Sequence, residues 1–511
     1  MCEKLVYLPE AASITPLNTE KCEQLETPLF TALVKHAEKE PVQFHIPGHK
    51  KGNGMDPEFK EFIGKNTLSI DLINISPLDS LHLPNGIIKE AQELAAKAFG
   101  ADFTFFSVQG TSGAIIAMIM SVCEPGDKIL VPRNVHKSIM SAIVFSGAIP
   151  IFIHPEVDSN FGISHGITPD SIEKALILNP DTKAVLVINP TYYGVTGDLK
   201  KIVEIAHLRG IPILVDEAHG AHIHFHQDLP LSAMAAGADL AATSVHKLGG
   251  SLTQSSILNL RGNLVSPKRV QSVLSMLTTT STSYLLLASL DVARKMLATE
   301  GQALLEETIK KAESTRTKIN DIDYLYCMGR EVLESSAAVS MDPTKLLISV
   351  KELGITGYEV EKWLRNRFKI EVELSDLYNI LCIITPGDSE DDLRILVEAL
   401  AVLSQEFRSQ DDKYIDSSVL LPEIPSLALT PRDAFYAEKE VIDFEQSEGR
   451  IIAEFVMVYP PGIPIFVPGE IITKDNIVFT RKNIEAGLPV QGAEDIEFKK
   501  IRVIKESLSN E

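Results

Sequence analysis

Two short runs of consecutive apolar residues, 184–188 and 211–215, constrain the fold of this 511-residue chain more than any other feature. A strand with one face in water alternates apolar and polar residues, whereas a strand that is apolar at every position is buried on both faces. A helical segment at 197–210 separates the two runs and supplies the crossover that parallel neighbours need. The pattern therefore predicts an α/β layer built on a mainly parallel sheet.

Helix and strand patterns alternate on both sides of these runs. Residues 87–99 have the periodicity of an amphipathic helix and precede Gly100, a residue typical of helix C-termini. Residues 103–108 form a β-rich run. Further helices are predicted at 114–122, 139–144 and 360–368, and further strands at 128–131, 150–153 and 380–384.

The large domain is predicted to span residues 76–320. Residues 1–75 precede it as an N-terminal segment, in which 43–52 is predicted to be a loop.

Two smaller α+β domains are expected to follow. A polar break at 318–345 opens the first, a small α/β unit at 321–405. A surface linker rich in Gln, Asp and Ser is expected over 404–418. Residues 406–511 then form a C-terminal domain with a β-like later part.

Composition excludes several classes of function. A net charge of −21 disfavours nucleic-acid binding, which needs clustered Lys and Arg. That charge either attracts a cationic substrate or only keeps the protein in solution. No run of 18 apolar residues and no secretory signal is present, so neither membrane insertion nor secretion is expected. Five scattered cysteines without a CxxC pair argue against disulfides and structural zinc, which favours a cytoplasmic location.

Three segments fall where an open α/β sheet binds ligands, beyond the carboxyl ends of its strands. The segment 108–113, with Thr111 and Ser112, lies between a strand and an apolar helix. Its small residues and free helix N–H groups suit an anion, although a capped helix start would explain it equally well.

The other two segments carry an acid and a lysine. Asp216 ends a buried strand, where it would either face a cation or cap the next turn. Lys247 follows a strand of small residues and lies 31 positions after Asp216. An anion cradle, a strand-end acid and a lysine, in that order, match the phosphate, pyridinium and aldehyde of pyridoxal phosphate (PLP).

These residues also carry a resemblance to a known family. The chain resembles the fold-type-I PLP enzymes, and within them the bacterial ornithine/lysine/arginine decarboxylases, in particular their short biosynthetic arginine-specific members from bacilli. The similarity extends over nearly the whole chain and is carried by the segments 45–50, 109–112, 133–138, 189–194, 216–220, 244–247, 459–464 and 468–470.

The resemblance implies a role for each matching residue. It implies that Lys247 binds the cofactor aldehyde, that Asp216 keeps the pyridine nitrogen protonated, and that His219 positions the substrate or packs against the ring edge. The remaining cofactor contacts that it implies are the phosphate ligands Thr111, Ser112, Ser244 and His246, the stacking residue His136, and Thr191 at the phenolic oxygen.

The resemblance further implies that a basic amino acid is decarboxylated at a dimer interface. Arginine, which would give agmatine and CO2 for polyamine biosynthesis, is expected before lysine or ornithine. Asp79 and Glu454 are candidate acids for the distal cation, with surface or capping roles as the alternatives. Residues 278–283 are expected to reach a neighbouring subunit's cofactor or to form a polar loop. Because the larger relatives carry an extra N-terminal wing domain that helps to build decamers, a homodimer or a small dimer-based oligomer is expected here.

Two rival functions remain at this point. A fold-type-I aminotransferase would display an arginine for the substrate carboxylate near 372–379; none occurs there, although Arg365 and Arg367 lie close in sequence. A metal protein would use His222, His224 and His226, which alternation would place on one strand face beside His219. The spacing matches no familiar zinc motif, so no metal is expected.

Overall fold

The computed structural model describes residues 22–407, 422–458, 463–485 and 490–506. Among these residues no helix is both long enough and apolar enough to cross a membrane. The Tyr459–Gly462 part of the segment 459–464 lies outside the described residues.

The α-helices of the described chain are α1 Pro28–Glu38, α2 Pro57–Ile63, α3 Lys65–Ile70, α4 Ile87–Phe99, α5 Gly110–Val122, α6 Lys137–Ser146, α7 Pro169–Leu178, α8 Leu199–His207, α9 Ala233–Ala236, α10 Val245–Leu248, α11 Pro267–Leu277, α12 Tyr284–Asn320, α13 Gly357–Phe368, α14 Glu390–Phe407, α15 Pro431–Tyr436 and α16 Lys474–Glu485. Short 3₁₀ turns lie at Ser76–Leu78, Ile223–Phe225, Arg330–Val332, Lys351–Leu353 and Phe444–Gln446.

The strands, again in chain order, are β1 Phe103–Ser107, β2 Lys128–Pro132, β3 Ile149–Ile153, β4 Val157–Asp158, β5 Ile163–Ser164, β6 Thr182–Ile188, β7 Val195–Thr196, β8 Ile213–Asp216, β9 Leu240–Thr243, β10 Ser256–Leu260, β11 Tyr326–Cys327, β12 Ser340–Met341, β13 Lys345–Ser349, β14 Leu374–Ser375, β15 Asn379–Ile383, β16 Lys439–Asp443, β17 Val456–Val458, β18 Ile463–Phe466, β19 Val490–Gln491 and β20 Lys500–Ile504.

A seven-stranded sheet in the order β1-β10-β9-β8-β6-β2-β3 organises the large domain. Neighbours from β9 to β3 are parallel, whereas β10 is antiparallel to both β1 and β9. The centres of β6 and β8 are fully buried, because helices cover both faces. The predicted mainly parallel α/β fold is therefore confirmed.

Local patterns predicted several elements closely. Helix α4 has the predicted bounds and ends on Gly100, which has a φ of 68° in the left-handed region that glycine adopts without strain. The predicted loop at 43–52 contains no helix or strand. The break predicted to begin at position 318 begins slightly later, because α12 continues to Asn320.

Two smaller units follow α12. Strands β11, β13, β15 and β14 form an antiparallel sheet in that order, and helices α13 and α14 share its apolar core. Later strands pair as β16–β20 and as β18-β17-β19. Residues 404–407 belong to α14 and not to the predicted linker, whose positions 408–418 lie outside the described residues. The exact domain boundaries remain predictions.

A buried ion pair joins the C-terminal unit to the large domain. Arg133, just after β2, is 1% exposed, and its guanidinium donates from Nη2 to Glu470 Oε2 at 2.8 Å. Its Nε donates to the carbonyl oxygen of Pro464 at 2.9 Å. The backbone N–H of Val467 donates to the same Glu470 oxygen at 2.8 Å. Every one of these contacts is buried, so removing one partner leaves the other as an uncompensated charge.

We expect Arg133→Met to lower the free energy of unfolding by about 3–5 kcal/mol, because Glu470 would stay buried without its cation. The double variant Arg133→Met/Glu470→Met should recover most of that loss. Urea unfolding followed by circular dichroism measures both changes. An Arg133→Met protein as stable as the parent would contradict this account.

Candidate active site

The three segments predicted to bind a ligand meet at the carboxyl edge of the main sheet. Strand β8 ends at Asp216, and β9 ends at Thr243 just before the short helix α10, which carries Lys247. Helix α5 starts at Gly110, three residues after the end of β1. Since β1 runs in the same direction as β8 and β9, all three chain segments leave the sheet at one edge.

Lys247 contacts His219 at this edge. Its Nζ lies 2.8 Å from Nε2 of His219 and 5.8 Å from the ring centre of Tyr192. The residue as a whole is exposed, although its amine is partly buried against His219. Partial burial of the amine lowers the pKa of Lys247, and the distant carboxylates of Asp216 and Glu373 oppose that effect. A lowered pKa favours the neutral amine, which is the nucleophilic form.

His219 is 6% exposed and lies between two lysines. Nε2 faces Lys247, and Nδ1 lies 3.1 Å from Nζ of Lys345. Burial holds the pKa of His219 well below its usual range, and the charges of Lys345 and Lys247 act in the same direction. The imidazole is therefore neutral at physiological pH. The Tyr192 ring packs against it, with ring centres 4.4 Å apart.

Asp216 is buried, and its Oδ1 accepts the backbone N–H of Ala218 at 3.1 Å. Burial raises its pKa to about 6, with the Ala218 N–H and the charge of Lys247 acting against the shift. A carboxylate in such a place calls for a cationic partner.

The neighbouring Glu217 holds the strand ends together. Its carboxylate accepts the N–H of Ala233 at 2.6 Å and the Thr243 hydroxyl at 3.1 Å. Burial raises its pKa to about 7. Gly220 is required here because a Cβ at that position would lie 2.6 Å from Cγ of Glu217.

Three buried hydroxyls cluster where α5 begins. Thr111 Oγ1 hydrogen-bonds Ser244 and lies 2.8 Å from Oγ of Ser256. Ser112 is exposed on the next position of the helix. Hydroxyls beside the free N–H groups of a helix N-terminus suit a phosphate.

His136 caps helix α6. Its Nδ1 accepts the backbone N–H of Ser138 at 3.2 Å, and the ring is exposed. The pKa of His136 is lowered by loss of hydration and then by the charges of Lys247 and Lys137.

The structure gives Thr191 and His246 local partners. Thr191 Oγ1 accepts the N–H of Val195 at 3.2 Å, and Nδ1 of His246 donates to the carbonyl oxygen of Ser255 at 2.8 Å. Their cofactor contacts remain predictions. The run 278–283 joins α11 to α12 and exposes Thr279 to Ser281, so its reach to a second subunit also remains a prediction.

The candidate substrate acids both bind backbone donors. Asp79 accepts hydrogen bonds at 2.7–3.1 Å from four backbone N–H groups. Two of them, those of Gly86 and Ile88, lie at the N-terminus of α4, and the other two, those of Ser80 and Asn85, lie in the loop before it. Glu454 accepts the N–H groups of Glu494 and Arg502 at 2.9 and 3.0 Å. These contacts fit the capping alternative, and a substrate contact for either acid stays a prediction.

The prediction that three imidazoles share one face of a strand is wrong, because Ile223–Phe225 forms a 3₁₀ turn and not a strand. The rings of His222, His224 and His226 contact Asp342, Ser232 and Glu306, each at 2.9–3.0 Å. His226, Asp228 and Glu306 have potential ligand atoms within 4.8 Å of one another, but Glu306 already pairs with Lys310 at 2.8 Å.

The arginines near 372–379 are also engaged elsewhere. Both lie on α13, where Arg365 pairs with Glu361 and Glu371, and Arg367 pairs with Glu406 and stacks on Trp363. Neither provides the carboxylate contact of an aminotransferase.

Two family models match most of the chain. Residues 27–392 match the family described as Orn/Lys/Arg decarboxylase, major domain, and residues 417–482 match its C-terminal domain. The chain is 71% identical to the arginine decarboxylase of Bacillus subtilis (strain 168) over 94% of this chain and 99% of that protein. It is 68% identical to the arginine decarboxylase of Bacillus anthracis over 94% and 98%.

The chain belongs to the Orn/Lys/Arg decarboxylase family. Lysine decarboxylase A from Pseudomonas aeruginosa has a similar fold, with a TM-score of 0.82 at 25% identity over 95% of this chain and 81% of that one. The resemblance noted from the sequence, the fold class and the decarboxylase assignment are thereby confirmed.

The residues of the site fit PLP, the cofactor that this family membership supports. Asp216 is a buried acid that needs a cation, which a protonated pyridine nitrogen supplies. The hydroxyls of Thr111, Ser244 and Ser256 offer donors for a phosphate. Lys247 presents a primary amine for an aldehyde at the same sheet edge.

Several residues of the site were missed from the sequence. Tyr192 lies within the segment 189–194 but was given no role, and its hydroxyl donates to Glu373 Oε1 at 2.5 Å. Ser256 completes the hydroxyl cluster, and Lys345 contacts His219. Lys345, Ser256 and Glu373 stand in no recognisable local pattern, so only the folded structure reveals them.

We expect Asp216→Asn to stabilise the cofactor-free protein at pH 8. The native pKa of Asp216 is raised from 3.8 to about 6, so between these values the folded state holds a proton that the unfolded state releases. Stability therefore falls as pH rises through this window, and the variant avoids a loss of about 1–3 kcal/mol. Its advantage should shrink from pH 8 to pH 5 in urea unfolding. A variant less stable than the parent at pH 8 would refute this.

Proposed function

We propose that this chain is a PLP-dependent decarboxylase that converts L-arginine to agmatine and CO2 in the cytoplasm. The observation that carries the proposal is the meeting of the Lys247 amine, neutral His219, buried Asp216 and the Thr111 hydroxyl cluster at one sheet edge. The choice of arginine is supported by Bacillus relatives named arginine decarboxylase at 68–71% identity over nearly the full chain.

The chain would hold the cofactor with the residues that the sequence analysis identified. Lys247 would bind the aldehyde, Asp216 the pyridine nitrogen, and His136 the ring face. Further contacts would come from Thr111, Ser112, Ser244 and His246 at the phosphate and from Thr191 at the phenolic oxygen. When bound, PLP withdraws the electrons of the bond to the departing carboxylate.

Asp216 contributes a buried negative charge that a facing cation stabilises. In the cofactor-free protein its pKa is about 6, and a cation beside it favours the ionised form. The ion pair then holds a proton on that cation, which preserves the electron-withdrawing state through the reaction.

His219 and Lys247 are the groups placed to donate a proton to the product. The carbon that loses CO2 must gain a proton, and His219 Nε2 and Lys247 Nζ lie together where such a proton can be delivered. The Tyr192 ring and Lys345 hold the imidazole from its other sides. Neutral His219 does not add a further positive charge to the site.

We further propose a homodimer as the smallest active unit. Large apolar side chains of the N-terminal segment are exposed, among them Val42 at 82%, Phe44 at 95% and Phe62 at 88%. Exposed apolar surface of this kind supports a subunit interface. Residues 278–283 would then face the neighbouring subunit's site.

Lys247 should form the covalent link to PLP. We expect the purified protein with PLP to be yellow, and borohydride to remove the absorbance band while modifying Lys247. Lys247→Ala should retain the circular dichroism spectrum and lose multiple turnover, because the variant lacks the amine that would bind and release the aldehyde. A Lys247→Ala protein that turns over repeatedly would refute the assignment.

Arginine should be preferred over lysine and ornithine. A planar guanidinium binds a carboxylate through two hydrogen bonds, whereas an ammonium offers a point charge. Leaving a buried acid without its partner costs about 1–3 kcal/mol, or about 10- to 100-fold in specificity. Comparing kcat/KM for the three amino acids measures the ratio. Preference for lysine or ornithine would replace the substrate and leave the decarboxylase assignment intact.

A further inference from the structure

Gln254 has a backbone conformation that is unusual for its residue type. It is the third residue of a four-residue turn, which the N–H of Ser255 closes on the carbonyl oxygen of Leu252 at 3.2 Å. Its φ is +82°, in the left-handed region, and a turn of this kind normally has glycine or asparagine at that position. Such strain persists only where the surrounding structure holds the residue in place. The contacts of Gln254 show what a glutamine provides here that glycine would not.

Gln254 bonds the chain on both sides of Gln109, the residue just before helix α5. Its carbonyl oxygen accepts the N–H of Gly110 at 2.9 Å, and its side-chain Nε2 donates to the carbonyl oxygen of Val108 at 2.7 Å. Both polarities are fixed, because a backbone N–H can only donate and a carbonyl oxygen can only accept. Glycine would lose the second bond, and asparagine is one methylene shorter. The two residue types that suit the turn would therefore weaken the contact with Val108.

The start of α5 lacks the usual side-chain cap. A capping side chain accepts the N–H of the second or third helical residue, here Thr111 or Ser112. The Gln109 side chain makes no such bond, and no hydrogen bond among the described residues engages either N–H group. Gln254 instead binds the N–H of Gly110, the first helical residue. The helix start is thus fixed from outside, and the two N–H groups that a cap would use stay free.

The residues that follow Gln254 connect the same loop to the lysine segment. The carbonyl oxygen of Ser255 accepts the ring Nδ1–H of His246 at 2.8 Å and the backbone N–H of the same residue at 3.3 Å. Ser256 belongs to the buried hydroxyl cluster. Since His246 directly precedes Lys247, this loop joins the start of α5 to the segment that carries the lysine.

We propose that Gln254 is a positioning residue for the phosphate of the cofactor, because it fixes the start of α5 and leaves the N–H groups of Thr111 and Ser112 to that anion. The inference rests on the proposed function, in which the PLP phosphate binds at this helix start. Free N–H groups at the start of a helix attract anions, and the neighbouring hydroxyls add donors. Gln254 acts on the phosphate through Gly110 and Val108, so it affects cofactor binding more than the later chemistry.

The test compares how tightly the cofactor-free protein binds PLP and pyridoxal, which has the same ring and aldehyde but no phosphate. The ratio of the two dissociation constants isolates the contribution of the phosphate. Gln254→Leu removes the donor to Val108 and keeps the strain, whereas Gln254→Gly removes both. Gln24→Leu is the matched control, because Gln24 also donates from Nε2 to a backbone carbonyl oxygen, that of Leu94 at 3.1 Å, and lies outside the site.

We expect both Gln254 variants to bind PLP about 10-fold more weakly than the parent, near the upper limit for the loss of one hydrogen bond, and to bind pyridoxal as the parent does. In urea unfolding of the cofactor-free proteins, Gln254→Gly should be more stable than Gln254→Leu, since only the leucine variant keeps a side chain at positive φ. PLP affinity then follows the hydrogen bond and not the stability. Gln24→Leu should keep the parent's ratio of dissociation constants.

Equal weakening of PLP and pyridoxal binding in the Gln254 variants would overturn the inference alone, because a general loosening of the site does not select the phosphate. PLP binding that is unchanged in both variants would do the same. A parent protein that binds PLP no better than pyridoxal would overturn both the inference and the phosphate contacts of the proposed function. Agmatine production by the parent tests the decarboxylase separately. If the parent makes none but the variants lose PLP affinity selectively, the proposed substrate fails and the role of Gln254 stands.

Discussion

Burial of the central strands on both faces is the constraint on which the site depends. The interiors of β6, β8 and β9 admit only apolar or small side chains, so polar groups can appear only where these strands end. Asp216 is the last residue of β8, and Lys247 follows β9 by four residues. Parallel pairing then carries both groups to the same edge, since Asp216 is opposite Ala242. The pairing of the strands thus determines where Asp216 and Lys247 lie.

Desolvation at this edge sets the protonation states that the site uses. Burial raises the pKa of Asp216 to about 6 and that of Glu217 to about 7, while it lowers the pKa of Lys345 to about 8. The two acids nevertheless have different surroundings. Glu217 binds Ala233 and Thr243 and stabilises the strand ends, whereas Asp216 has one backbone donor and is left to pair with a ligand. Of these two adjacent acids, Glu217 therefore has the structural role and Asp216 is the one available to a ligand.

The sequence predicted those parts of the site that depend on local pattern. The 108–113 segment, Asp216 and Lys247 were expected at strand ends, and the topology brings these segments together. The roles of His219 and Ser244 came from the family resemblance and stay predictions. Lys345 and Glu373 could not be predicted in this way, because neither follows a strand of the main sheet: Lys345 begins β13 and Glu373 precedes β14. The histidine run was misread because period-two alternation assumes a strand, and the chain forms a 3₁₀ turn there. Asp79 accepts several backbone N–H groups before α4, which fits its capping alternative, and its substrate contact stays a prediction.

The C-terminal unit contributes to the site through Arg133. This residue begins the segment 133–138, three positions before His136, and its guanidinium is held by Glu470 and by carbonyl oxygens of the β18 strand. The segment cannot move away from the sheet edge without breaking a buried ion pair, which costs several kcal/mol. His136 itself is exposed, and its Nδ1 lies within hydrogen-bond distance of both the backbone N–H and the hydroxyl of Ser138. Through Glu470 and Pro464, the C-terminal unit therefore holds Arg133 in place, and with it the start of the segment that leads to His136.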